Sequence, residues 1–340
     1  MNQRRKLMLA LGAGALGSPF TPHAQQPANP ARAAGKIWRV GVLVLTNREA
    51  SLDPDFTGAF PLGMRDLGYV EGKNVWIEWR FADGDATRLP PLAAELMQWK
   101  PDVLVAGGND APFALQKLTS TVPIVMASAS NPVELGLVKS LAYPGGNITG
   151  LTSISGELGP KRLQLLLEMV ADAKPRVTRV AVLFKPTAST RMGLASIEAV
   201  SAKLGVKILP FEASSPEEIA PAFAAMRTQK AGALMVLLNP LFQTRRKLIA
   251  DLATQYRLPS MTADTLYVKA GCLMGYSSPL GYLWRRTAYY VDRILKGAKP
   301  AELPVEQPTR FELALNLQTA KALGIKVPPV VLLQAERVIE

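Results

Sequence analysis

Hydrophobic runs along this chain recur in pairs. RVGVLVL, Arg39 to Leu45, has the unbroken apolar character of a strand buried on both faces, and RVAVLFK, Arg179 to Lys185, repeats it 140 residues later. The echo then continues in order. A helical segment ending at Leu67-Gly68 leads into the strand NVWIEWRF, and one ending at Leu204-Gly205 leads into VKILPF. DGDATRL and SSPEEI are both turns with helix-start chemistry opening an amphipathic helix. Lys100–Asn109 parallels Lys230–Asn239, each a hydrophobic strand ending in asparagine, and Val122–Ser128 parallels Leu258–Asp264.

A period near 140 residues is too long for a solenoid and suits a duplicated domain. Strands alternating with helices imply a parallel sheet in each copy, so the expected fold class is α/β, with two Rossmann-like, doubly wound lobes. The joints are also legible. Tyr143–Ser153 carries a Pro-Gly-Gly turn and a short β-prone stretch where the first copy ends. Gly271–Ser277 reads as a strand, and the helix through WRRTAYYVDRILKG, closed by Gly297 and Pro300, is assigned to the first lobe. Leu303–Leu317 is expected to return as an extended strand, with QTAKALG opening a last helix. Three crossings then form a hinge. The expected division is 37–148 plus 277–304 for lobe 1 and 149–276 plus 305–340 for lobe 2.

The N-terminus changes the picture of where the protein works. Gly12 to Gly17 spell G-x-G-x-x-G, but Arg4, Arg5 and Lys6 stand where the preceding strand should be and the first acidic residue is Glu49. A basic head, an apolar run from Leu7 to about Leu16 and a Ser/Pro/Thr segment ending at Ala24 instead describe a signal peptide over residues 1–24. The paired arginines leave both the Sec and the twin-arginine route open. A periplasmic location is expected. No later apolar run is long enough to span a membrane, and the single cysteine, Cys272, supports neither a disulfide framework nor a lipid anchor.

Charge and residue counts remove several function classes. The formal net charge is +12, but the basic clusters Arg245-Arg246-Lys247 and Arg285-Arg286 lie on helical spacing without interleaved aromatics, so no nucleic-acid partner is expected. The one histidine, His23, falls in the export segment. A mature chain without imidazole excludes Ser-His-Asp and Cys-His catalysis and histidine-dependent zinc sites. No catalytic residue, metal or cofactor is expected. An enzyme on this scaffold would need a convergent acid–base pair, for which Asp264 with Asp110 or Glu134 is the candidate.

Equivalent strand ends in two facing copies should line opposite walls of one cleft. They nominate Thr46 and Asn47 against Lys185, Gly108 and Asn109 against Asn239, and Ser128 against Asp264. Asn and Ser combine donors and acceptors in small volumes, although the same residues commonly cap helices. Asp264 is a candidate to fix an ammonium and Lys185 a carboxylate. Tyr276 is a candidate to stack on an organic ligand or to pack in the hinge. Trp38, Trp76, Trp79, Trp99 and Trp284 are read as packing residues.

Two long stretches, PVELGLVKSLAYPGGNITGLTS and RRTAYYVDRILKGAKPAELPVEQPTRFELALNLQTAKALGIKVP, carry a resemblance. From Ile37 to Glu340 the chain resembles ABC-transporter substrate-binding proteins of the tryptophan/aromatic amino-acid-binding type, built on the type I periplasmic-binding fold. The resemblance implies an exported receptor that captures a small organic solute between two lobes and presents it to an ABC-transporter membrane permease; capture by hinge closure and a monomeric state are expected. Members of the family carry Asp-Pro where this chain has Asn131-Pro132 and Asn239-Pro240. Those changes remove negative charge from cleft loops, with Asn131 joining the ligand-binding candidates, and imply a less cationic solute. A sensing module reporting to a membrane receptor would share the fold and the cleft.

Overall fold

The computed structural model describes residues 36–340 other than 52 and 54, so the expected export segment lies outside the described residues. The first sheet holds β1 (Trp38–Val44), β2 (Val75–Phe81), β3 (Val103–Ala106), β4 (Ile124–Ala129) and β5 (Ile148–Thr152). Its order is β2-β1-β3-β4-β5 and every pairing is parallel. Between the strands run α1 (Arg48–Ser51), α2 (Ala59–Asp66), α3 (Leu89–Gln98) and α4 (Asp110–Gln116). Side chains alternate across β1 as a pleated strand requires. Val40, Val42 and Val44 pack with α2 on one face, while Leu43 packs with α3 and α4 on the other.

The second lobe repeats the plan. After α5 (Gly159–Met169) come β6 (Arg179–Phe184), α6 (Ala188–Ser201), β7 (Lys207–Glu212), α7 (Pro216–Thr228) and β8 (Ala233–Val236). Then follow α8 (Pro240–Thr244), α9 (Arg246–Gln255), β9 (Ser260–Thr262), α10 (Leu266–Lys269) and β10 (Met274–Ser277). Val180, Val182 and Phe184 face Leu163 and Ile197, whereas Ala181 and Leu183 face Ile219, Phe223 and Ile249. The local signals are ordinary ones. Thr187 and Thr190 form a reciprocal capping box that starts α6, and Pro216 with Glu217 and Glu218 opens α7.

The chain then crosses back. α11 (Leu280–Leu295) lies on the first lobe, where Leu283, Trp284, Ala288 and Val291 join the same core face as α2. A third crossing leads to β11 (Glu312–Asn316), α12 (Leu317–Leu323), α13 (Pro329–Leu333) and β12 (Arg337–Ile339). The second sheet is therefore ordered β12-β11-β10-β9-β8-β6-β7, with β11 antiparallel to β10. Of the expected strand Leu303–Leu317, only Glu312–Asn316 pairs along its length. Pro304 and Pro308 remove donors from the earlier part, which instead ties the hinge: Glu306 N donates to Gly150 O at 2.9 Å and Thr152 N to Glu306 O at 2.9 Å.

The changes of lobe fall a few residues beyond the expected boundaries. β5 pairs with β4 through Thr152, and Val305 still packs in the first lobe's core. Gly150 makes that edge possible. Its φ is +126°, and a Cβ there would sit 2.2 Å from the Met126 carbonyl oxygen, beside the register shift between Met126 and Ala129.

Candidate functional site

The carboxyl ends of the two sheets meet around a cavity of about 970 Å³, part of it open to solvent. This is where helix N-termini and strand-end loops converge in a parallel sheet. From the first lobe, Val44–Thr46 end β1, Gly107–Asp110 join β3 to α4, and Ser128 and Ser130 end β4. The second lobe supplies Thr187–Thr190 at the start of α6 and Leu238–Pro240 with Gln243 around α8.

Three aromatic side chains complete the wall: Phe56, Phe113 and Trp284. Phe56 and Trp284 meet edge to face, ring centroids 6.2 Å apart. Gly107 admits the indole, since a Cβ there would lie 3.0 Å from its Cζ2 atom. Trp284 is 1% exposed, yet its Nε1 donor has no hydrogen-bond partner. A buried N–H without an acceptor costs about 1–3 kcal/mol, and Trp284 borders the cavity, so a solute acceptor that reaches this donor would remove that cost.

Thr46, Gly108, Asn109, Ser128 and Asn239 all lie in the wall. Two of them are also capping residues. Asn109 Oδ1 accepts from Ser130 N at 2.7 Å, and Asn239 Oδ1 accepts from Leu241 N at 2.9 Å at the start of α8. Gly108 has φ +69°.

The other candidates lie behind or beside the wall. Asn47 is the next residue after Thr46 and is not part of the lining. Asn131, at φ +52°, opens a turn, with its amide oxygen beside Gly156. Lys185 sits at the end of β6, where its carbonyl accepts from Thr187 N at 2.9 Å. Tyr276 stacks on Phe311 at 6.1 Å in the hinge strand. Asp264 is 1% exposed and is turned inward: Gln243 Nε2 donates to its Oδ2 at 2.8 Å and Leu266 N to its Oδ1 at 2.9 Å. It holds Gln243, and Gln243 faces the cavity.

Electrostatically the wall is sparse. Among the described residues it contains one carboxylate, Asp110, and no Lys or Arg. Burial pushes the Asp110 carboxyl above the usual range, with Lys185 across the cleft pulling it back down. Burial likewise raises Asp264, against the lowering effect of its bonds from Leu266 N and Gln243. Among the described residues no cluster of three or more His, Cys, Asp and Glu is assembled to hold a metal ion. Asp55 in the first lobe pairs with Lys269 and, at 3.2 Å, with Arg337, joining the lobes beside the cavity.

Reading strand ends alone misses Phe56, Phe113, Trp284, Gln243 and Thr187–Thr190. The T-x-x-T cap at Thr187 and Thr190 carries a signal for the last group. The aromatic residues carry none: Phe113 and Trp284 lie on helices, where an aromatic ordinarily reads as packing, and Phe56 lies in the turn before α2.

Comparison with known proteins agrees with this geometry. A family model described as ABC transporter substrate binding protein matches residues 39–339. A tyrosine-binding protein of Clostridioides difficile (strain R20291) is 24% identical over 277 residues, covering 81% of this chain and 78% of that protein. A conserved domain protein of Vibrio cholerae superposes with a TM-score of 0.80 at 28% identity, covering 89% of this chain and 100% of the other. An ABC domain from Streptococcus pneumonia in complex with L-Trp superposes with a TM-score of 0.79 at 25% identity, again over 89% of this chain and 100% of the other.

Proposed function

The chain belongs to the ABC transporter substrate-binding protein family, whose members are receptors that bind small solutes and work with ABC permeases rather than enzymes, and we propose that it is the periplasmic receptor of an ABC importer for a small aromatic solute. The observation that carries the choice of solute is the cavity itself: Phe56, Phe113 and Trp284 surround it, and the buried indole N–H lacks a partner. The tyrosine-binding and L-Trp-bound relatives support the same class.

In this reading the ring lies against Phe56 and Trp284, where aromatic burial and edge contacts supply affinity. Thr46, Asn109, Ser128 and Asn239 orient its polar groups, with Gln243 held in place by Asp264. The solute touches both lobes only when they are closed, and that differential affinity shifts the hinge equilibrium toward the form a permease engages. Residues 1–24 export the chain, which works as a monomer, and no described helix is long and apolar enough to cross a membrane.

A thermal-shift panel on the mature protein tests the reading. L-tryptophan, L-tyrosine, L-phenylalanine and benzoate are compared with aliphatic amino acids and sugars. At about 100 times its Kd, a true solute stabilises the native state by about 2.7 kcal/mol. Stabilisation by sugars or aliphatic amino acids, with none by the aromatic compounds, would refute the reading.

A further inference from the structure

Beside the main cavity lies a smaller compartment of about 330 Å³, part of it open to solvent, and Ser130, Ser189, Thr190 and Leu238 belong to the walls of both. Gly156, Gly159 and Gly193 make room for it, and Arg162 of α5 closes it. That arginine is 2% exposed. Its Nε donates to the Tyr276 carbonyl at 2.7 Å, Nη1 to the Ser155 carbonyl at 2.6 Å and Nη2 to Ser155 Oγ at 3.2 Å.

Every one of these acceptors is neutral. Among the described residues no carboxylate lies within ion-pair distance of Arg162, and the carboxylate of Asp264 is engaged by Gln243 and Leu266. Burial lowers the guanidinium pKa to about 9, which leaves it charged at neutral pH. A guanidinium has five N–H donors, so part of the fork remains without an acceptor. A buried cation without a counter-ion is unfavourable unless an anion arrives to complete it. The N-terminus of the 14-residue α6 borders the same space. Its capping box uses the Thr190 amide and leaves those of Ala188 and Ser189 without a protein acceptor among the described residues.

We propose that this compartment is the anion-binding end of the solute site, and that the solute is an aromatic carboxylic acid whose carboxylate supplies the missing counter-charge to Arg162. The inference rests on the aromatic reading of the main cavity. It also links binding to motion. Ser155 lies on the first crossing and Tyr276 at the start of the second, so a carboxylate on the same guanidinium ties occupancy to the geometry of the hinge.

The test changes the solute and the compartment separately, leaving Arg162 intact. Isothermal titration compares L-tyrosine with L-tyrosinamide and 3-(4-hydroxyphenyl)propionate with its carboxamide, on the parent and on Gly193→Leu. Gly193 lines the compartment, and a Cβ there would meet Gly156 Cα at 3.7 Å and Leu237 Cδ1 at 3.8 Å, ordinary contacts, so a side chain can start from this position without a clash at its Cβ. The expected result is an acid bound at least about tenfold more tightly than its amide by the parent, with the preference lost in Gly193→Leu and no loss of thermal stability. Equal or weaker binding of the acids, or a preference that survives Gly193→Leu, would overturn the inference alone. Failure of all four compounds to bind, with L-tryptophan, L-phenylalanine and benzoate also giving no thermal shift, would overturn the aromatic reading and the inference with it.

Discussion

Replacing Asp264 by alanine separates a ligand contact from a support beneath one. Its carboxylate accepts two buried hydrogen bonds, at 2.8 Å from Gln243 and 2.9 Å from Leu266 N. Hydrogen bonds to a charged group contribute about 1.5–3 kcal/mol each, and their removal leaves two buried donors unsatisfied. Against this stands relief from holding an ionised carboxylate away from water, which is what raises its pKa. The expected net loss is about 2–4 kcal/mol for the ligand-free protein at neutral pH, read by urea unfolding followed by circular dichroism. Asp264→Asn keeps an oxygen for Leu266 N, and the Gln243 amide can turn its oxygen toward the new NH2 group. That variant should lose about 1 kcal/mol or less and still bind solute. The pH dependence has a definite sign. Because the folded-state pKa is raised, the contribution of Asp264 is full below the ordinary carboxylate value and is lost as pH rises through the raised one. The stability of the parent relative to Asp264→Asn should therefore be greatest in acid and fall toward neutrality. An alanine variant within about 0.5 kcal/mol of the parent, or a relative stability that grows with pH, would refute this account of Asp264.

Other consequences are simpler to read. Trp284→Phe keeps a ring against Phe56 but removes the unpartnered donor; affinity for the best aromatic acid should fall by about 1 kcal/mol, roughly fivefold, in a titration, and unchanged affinity would exclude the indole N–H as a contact. Cys272 is fully buried and its thiol is pushed up to about 12 by burial. A thiol reagent should therefore label it only as the protein unfolds, and bound solute should slow the labelling. Gly150→Ala would place a methyl group 2.2 Å from Met126 O at φ +126°; it should cost more than about 3 kcal/mol or prevent folding, as measured by yield of the compact protein.

The duplication was legible because both copies write their central strands as apolar runs ending in a polar residue or glycine, in the same order. Backbone position follows from such a pattern, and side-chain direction does not. Thr46, Gly108, Asn109, Ser128 and Asn239 face the cavity, whereas Asp264, at an equivalent strand end, turns inward to accept from Leu266 N. Lys185 and Tyr276 stand at the right height on their strands but outside the wall. Trp284 shows the reverse. Its spacing in α11 is that of a core stripe, and it is a core residue at 1% exposure, yet one edge of its ring also borders the cavity. Arg162 was hidden for a related reason: a lone arginine on an amphipathic helix normally faces water, and nothing local marks this one as buried.

The most direct measurement is a crystal structure of the mature protein grown with the aromatic acid that binds most tightly. The account predicts one molecule between the lobes, its ring against Phe56 and Trp284 with the indole Nε1 donating to it, and its carboxylate beside Arg162 and Ser189. A solute bound outside the interlobe cavity, or one touching a single lobe, would contradict it.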